Sequence, residues 1–202
     1  MSRRFRKDAG QAFPIYVVMV AGLLFLAFAF FAVGKASALR NGSQGAADAA
    51  ALAAAQEARD RFGTGFYTSL PTNTLDLFLD GLFVPPCYEA TRLAAANDAR
   101  STSCYPTPGY LRDRVTVEVE GLKPVNSPVL PGSEDRKAKA KATAVIEFRC
   151  PRPKAVDLNS DGIQDLFIFT CLDGDVLEIT PSSPPPWETV SRTLFDVRLV
   201  DQ

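Results

Sequence analysis

Residues 15–34 form a run of twenty apolar residues without a single charge, and an alanine-rich segment, residues 44–62, follows within ten positions. In an α-helix twenty residues rise about 30 Å, the thickness of the hydrocarbon core of a bilayer. Pro14 stands directly before the run, a residue that suits a first helical position. Arg3, Arg4, Arg6 and Lys7 lie ahead of it. Basic residues on that flank favour a cytoplasmic N-terminus and place residues 35–202 outside the membrane. The expectation is a single-pass cell-membrane protein: a basic cytoplasmic tail over 1–10, a transmembrane helix over 11–34 and an extracellular C-terminal part. A cleavable signal peptide ending at Ala36-Ser37-Ala38 is the competing reading. Signal cores run about 7–15 residues, so the longer run here favours a retained anchor.

Beyond the run the chain is long enough for one domain with a modest core. Residues 35–202 hold 18 basic and 22 acidic residues, a balance that argues against nucleic acid or anionic lipid as the main ligand of this part as a whole. Arg136, Lys137, Lys139 and Lys141 form the only basic cluster, with alanines between the lysines, and read as the solvated face of a strand. The sequence contains no histidine. Ser-His-Asp and Cys-His nucleophiles and imidazole metal sites are therefore excluded. No pair of carboxylates sits in an informative motif, so no catalytic residue is assigned and a non-enzymatic role is expected.

Residues 35–62 read as an amphipathic helix dominated by alanine, the best helix former. Ala46, Ala50, Ala54 and Ala58 recur every four residues and make a ridge of small side chains. Such a ridge lets a sheet or another helix approach closely, and it offers a route to a homo-oligomer through the N-terminal helix. Gly42 and Gly45 interrupt the pattern, as a hinge or as points of close packing, and Gly63 is a plausible stop. Periodicity places further helices over 74–83 and 89–100, and a Ser/Thr-rich, proline-marked turn over 101–109.

From residue 114 the period changes to two. Val115, Val117 and Val119 alternate with Thr116, Glu118 and Glu120, as in a half-buried strand. The alternation continues over 139–149, and 167–169 and 176–179 flank Asp173-Gly174 as a hairpin. Phe195, Val197 and Leu199 form a last strand, after a proline-rich loop over 181–186. The fold class is α+β: a long N-terminal helix and then, over 63–202, a domain with an antiparallel sheet.

Cys87, Cys104, Cys150 and Cys171 all lie beyond the apolar run. An even count in an oxidising compartment points to two disulfides, and four cysteines allow three pairings. The near-neighbour pairing, Cys87–Cys104 and Cys150–Cys171, closes two compact units. Zinc is disfavoured, because no C-x-x-C pair occurs.

Asp157, Asn159, Asp161 and Asp165 fit D-x-N-x-D-G-x-x-D, with Gly162 at the turn. Calcium takes six to eight oxygens, which these side chains and the Ile163 carbonyl supply from one loop. The motif resembles the calcium loops of integrin-type FG-GAP repeats. It departs from an EF-hand, since the twelfth position is Ile168 instead of a bidentate glutamate. A structural Ca2+ of weak affinity is the expectation, and a solvated Asx-rich turn is the alternative.

Three features in order carry a family resemblance: Gly10-Gln11-Ala12, the apolar run, and Gln44 leading into Ala47-Asp48-Ala49-Ala50-Ala51-Leu52-Ala53. Together they resemble the TadE/TadG-like segment of tight-adherence (Flp) pilus-assembly proteins. The ending Leu194-Phe195-Asp196-Val197-Arg198-Leu199 is similar to the close of actinomycete TadG-related proteins. The resemblance implies a pilin-like (pseudopilin) component anchored in the membrane beside other pilus-assembly subunits. The sequence departs from the family pattern at the processing site, since cleavage after Gly10 would put Ile15 where such helices carry glutamate, and a retained N-terminus is the expectation. The D-x-S-x-S metal motif of larger relatives is absent. The alternative is a calcium-stabilised binding module that recognises an envelope or extracellular ligand.

Overall fold

The computed structural model describes residues 12–81, 84–126, 132–151 and 153–200. The basic tail over 1–10 and the end of the helix expected over 74–83 therefore lie outside the described residues. The element that organises the rest is a 50-residue helix, α1, Ala12–Arg61. It runs unbroken through Gly42 and Gly45, where an added Cβ would meet nothing within 4 Å. Neither glycine is a point of close packing, and alanine-rich flanks carry the helix across both without a break.

Gly63 does not end the helical region. Phe62 keeps helical dihedrals and leads into α2, Gly63–Ser69. Glycine is required at this position by close approach: a Cβ would stand 2.9 Å from the Trp187 ring. A five-residue helix, α3, Leu75–Leu79, replaces the longer one expected, ending at Asp80. α4, Cys87–Ala96, is also shorter than the expected 89–100. It is stopped by Asp98, whose φ of 54° is left-handed.

The expected turn over 101–109 is largely a strand, β1, Ala99–Thr107. It pairs antiparallel with β2, Arg112–Pro124, with an irregularity between Ser101 and Ser103. Pro106 is tolerated because β1 lies at the sheet edge. β3, Lys137–Phe148, pairs with β2, and the last strand, Phe195–Val200, pairs with β3, so this sheet has four antiparallel strands. A smaller antiparallel sheet is built from β4, Lys154–Val156, β5, Leu166–Thr170, and β6, Val176–Ile179. Between β6 and the last strand, β7, the proline-rich loop leads into α5, Trp187–Leu194, which the sequence reading missed.

The large sheet lies along the second half of α1. Ala46, Ala47, Ala50, Ala51, Ala54, Ala55 and Ala58 are all buried, packed with Val115, Val117, Val119, Ala142, Ala144 and Ile146 and with Ala90 and Ala94 of α4. Only methyl-sized side chains on the helix allow the sheet on one flank and α4 on another. Ser43 Oγ donates to Ala138 O at 3.5 Å, and Gln44 Nε2 to Lys141 O at 3.2 Å. At the far end Trp187 Nε1 donates to Arg59 O at 3.1 Å.

The opposite face of the sheet is polar. Thr116 and Thr143 share a hydroxyl hydrogen bond of 2.9 Å. Glu147 accepts from Arg112 of β2 and from Arg198 of β7, tying three strands together. Arg112 foremost, and then Arg198, hold the Glu147 carboxyl below its usual range despite some desolvation.

Candidate functional site

Three features have the chemistry to carry function, and they lie in different parts of the molecule. The first is the N-terminal half of α1. Its most apolar stretch has a mean hydropathy of 2.7 and is 6% buried, and among the described residues this is the one helix long and apolar enough to cross a membrane. Phe13, Val18, Phe25, Phe30 and Phe31 all stand open. A surface of this kind is stable in water only if another apolar phase covers it. The small-residue ridge, in contrast, is consumed within the chain.

The second feature is the loop between β4 and β5. Asp157 Oδ1 accepts the backbone N–H of Ser160 at 2.6 Å and of Asn159 at 3.2 Å, and Oδ2 accepts that of Gly162 at 2.8 Å. The Gly162 bond foremost holds the Asp157 carboxyl below its usual range. Asp161 accepts from Asn159 Nδ2 at 3.0 Å and from the Ile163 N–H at 2.8 Å. Asp165 Oδ2 accepts the Leu158 N–H at 2.8 Å and so closes the loop across its base. Ser160, at φ 62°, and Gly162, at φ 86°, supply the left-handed positions. Asp157, Asn159, Asp161, Ile163 and Asp165 thus share one compact turn with Asx-turn geometry. Among the described residues no group of three or more His, Cys, Asp or Glu side chains is placed to hold a metal ion. Any calcium would use the lone pairs that these N–H groups leave free.

The third feature was invisible in the sequence. A cleft of about 330 Å³ opens between the end of α1, α3 and the sheet, lined by Phe62, Phe78, Leu79, Phe148, Phe195 and Asp113, among others. Asp113 is its acidic group; desolvation raises the carboxyl, opposed by the Gly109 N–H, which donates to it at 3.2 Å. The lining comes from residues 58 to 195, so no local motif marks it.

Two disulfides brace the domain. Cys87–Cys104 ties the start of α4 to the edge strand β1, and Cys150–Cys171 joins the segment after β3 to the β5–β6 turn. In that turn Gly174 has φ 93°, and its N–H donates to Cys171 O at 3.0 Å.

No curated protein and no solved structure matches the chain. A family match falls on the N-terminal quarter and spans both the open apolar half of α1 and its buried alanine ridge: residues 10–57 match the family described as "Putative Flp pilus-assembly TadE/G-like".

Proposed function

We propose that the protein is a membrane-anchored, non-enzymatic, pilin-like component of Flp (tight-adherence) pilus assembly. The observation that carries this reading is the coincidence of residues 10–57 with the apolar run and the alanine ridge. In this reading residues 11–34 cross the cell membrane, the N-terminus is cytoplasmic and the disulfide-braced domain faces outward. Because the alanine ridge is buried under its own sheet, contact with other pilus-assembly subunits, or with a second copy, falls to the apolar half and to the domain surface. The actinomycete TadG-related subtype belongs to the same proposal and rests on the Leu194-Phe195-Asp196-Val197-Arg198-Leu199 ending.

The test is made on membranes from cells producing the full chain. The protein should resist alkaline carbonate, lose only its C-terminal domain to protease added to intact cells, and co-purify in mild detergent with Flp pilus-assembly proteins. A mature N-terminus at Leu39, or release by carbonate, overturns the anchor. Retention in the membrane without any pilus-assembly partner overturns the pilus role.

A second reading, a calcium-stabilised module that recognises an envelope or extracellular ligand, is favoured by the ordered Asp157 loop alone. It is checked by thermal unfolding. A bound structural ion stabilises by RT ln(1 + [L]/Kd), about 2.7 kcal/mol at a hundredfold excess over Kd. Asp161→Ala should remove that response and leave the metal-free fold intact. A melting temperature indifferent to millimolar calcium makes the loop an ordinary acidic turn.

A further inference from the structure

The charges of the C-terminal domain are unevenly distributed along α1. One end of the large sheet meets the helix where the apolar run stops. Lys35 Nζ donates to Asn126 O at 3.2 Å, at the start of the β2–β3 connection. Ala32, inside the run, is only 4% exposed, whereas Phe30, Phe31 and Val33 around it are open. The domain therefore reaches down to the last turn of the apolar run, with no spacer between.

This end of the sheet is basic. Lys35, Lys123, Arg136, Lys137 and Lys139 are brought to this end by the strand register and the Lys35 contact, with Arg40 between Lys35 and Ser43 on the helix, against Asp98, Glu120, Glu134 and Asp135. The rest of residues 35–202 carries the opposite balance, 12 basic against 18 acidic residues. Lys123 pairs with Asp98 at 2.7 Å and Lys139 with Glu120 at 3.7 Å. Arg40, Arg136 and Lys137 are exposed and, among the described residues, have no ion-pair partner. Ser43, which meets β3 at Ala138, stands about 13 Å along the helix from Gly34. The rim thus lies within about one to two Debye lengths of the plane where the run ends, the range over which a charged surface acts.

We propose that this rim rests on an anionic lipid surface, the headgroups around the emerging helix, and holds the domain against the membrane. The proposal rests on the reading of residues 11–34 as a membrane span. Basic side chains next to a span are drawn to negatively charged headgroups, and Lys and Arg can lay their stems along the apolar boundary while the charge stays in water. Continuity with the helix selects the occupant: whatever surrounds residue 34 lies within electrostatic range of Arg136 and Lys137 as well.

The experiment reconstitutes the full chain into vesicles of phosphatidylcholine, or of an equimolar mixture of phosphatidylcholine and phosphatidylglycerol, and follows amide hydrogen exchange. Exchange over residues 122–126 and 134–139 should slow about tenfold or more in the anionic vesicles. The difference should vanish at molar salt, where the Debye length is about 3 Å. It should also vanish in the triple variant Arg136→Gln, Lys137→Gln, Lys139→Gln, while β5 and β6 exchange alike in every arm. A chain that floats with both vesicle types but exchanges equally in them overturns this proposal alone, and points the rim at an acidic protein instead. A chain that floats with neither defeats the spanning reading and the proposal together.

Discussion

Phe66→Ala should destabilise the domain by about 3–5 kcal/mol, the cost of emptying a large buried aromatic site. Phe66 is fully buried. Its ring lies 5.4 Å from Trp187, 5.8 Å from Phe169 and from Tyr67, and 6.2–6.3 Å from Phe78 and Phe195, centroid to centroid. Those partners come from α2, α3, α5, the small sheet and the last strand, so one truncation loosens every layer around the distal end of α1. Neighbours bound in backbone elements collapse poorly into the space, which is why the upper part of the range applies. For a domain of this size the melting temperature should fall by about 10 °C or more. Leu77→Ala, at a side chain 73% exposed, is the matched control and should move it little. An equal effect of the two substitutions would contradict the packing described here.

Removing the Cys150–Cys171 bridge is the second large perturbation. Its ends are 21 residues apart in sequence, and a loop of that size is worth about 3 kcal/mol in the chain-entropy model. Both cysteines are buried, so the double variant Cys150→Ala, Cys171→Ala also leaves unfilled volume beside Phe167 and Phe169. Cys87 and Cys104 are only half-buried and join α4 to an edge strand. Their double alanine variant should therefore cost less. Non-reducing peptide mapping of the native protein should give these two pairs and no alkylatable thiol. A crossed pairing, or a larger loss from the Cys87–Cys104 variant, would reverse the assignment of the core bridge.

The parts of the fold legible in the sequence are those where one physical signal dominates. The alanine ridge, the Val115-Val117-Val119 alternation and the Asp173-Gly174 turn each follow from local chemistry, and each stands in the structure as a local feature. β1 was hidden because its Ser, Thr and Pro residues carry turn propensity. Pairing to β2 overrides it, and at an edge strand Pro106 costs no ladder bond inside the sheet. α5 was hidden by the proline run, although Pro186 before Trp187 is itself a helix-start signal. Gly42 and Gly45 weaken the helix signal locally, yet buried alanines on their C-terminal side carry the helix through both.

Of the candidate sites, the Asp157 loop is contiguous and so could be read from its spacing. The cleft around Asp113 could not. It exists only because the junction of α1 and α2 brings Phe62 to the same cleft as Phe148 and Phe195, three positions that nothing in the sequence associates.

The unbroken course of α1 has a mechanical consequence. A 50-residue helix is about 75 Å long, and its distal half is embedded in the domain's core. The helix continues through Gly42 and Gly45 without a break, so the domain and the apolar half share a single shaft. If residues 11–34 span a membrane, as proposed above, the average tilt of membrane helices, about 20°, carried over the roughly 40 Å from Gly34 to Arg61 displaces the tip by about 14 Å. Rotation of the shaft about its own axis likewise sweeps the whole polar sheet face round with it. In that proposed setting bilayer thickness would set the heading of the domain, and a pull on the domain would be carried along the shaft into the apolar half.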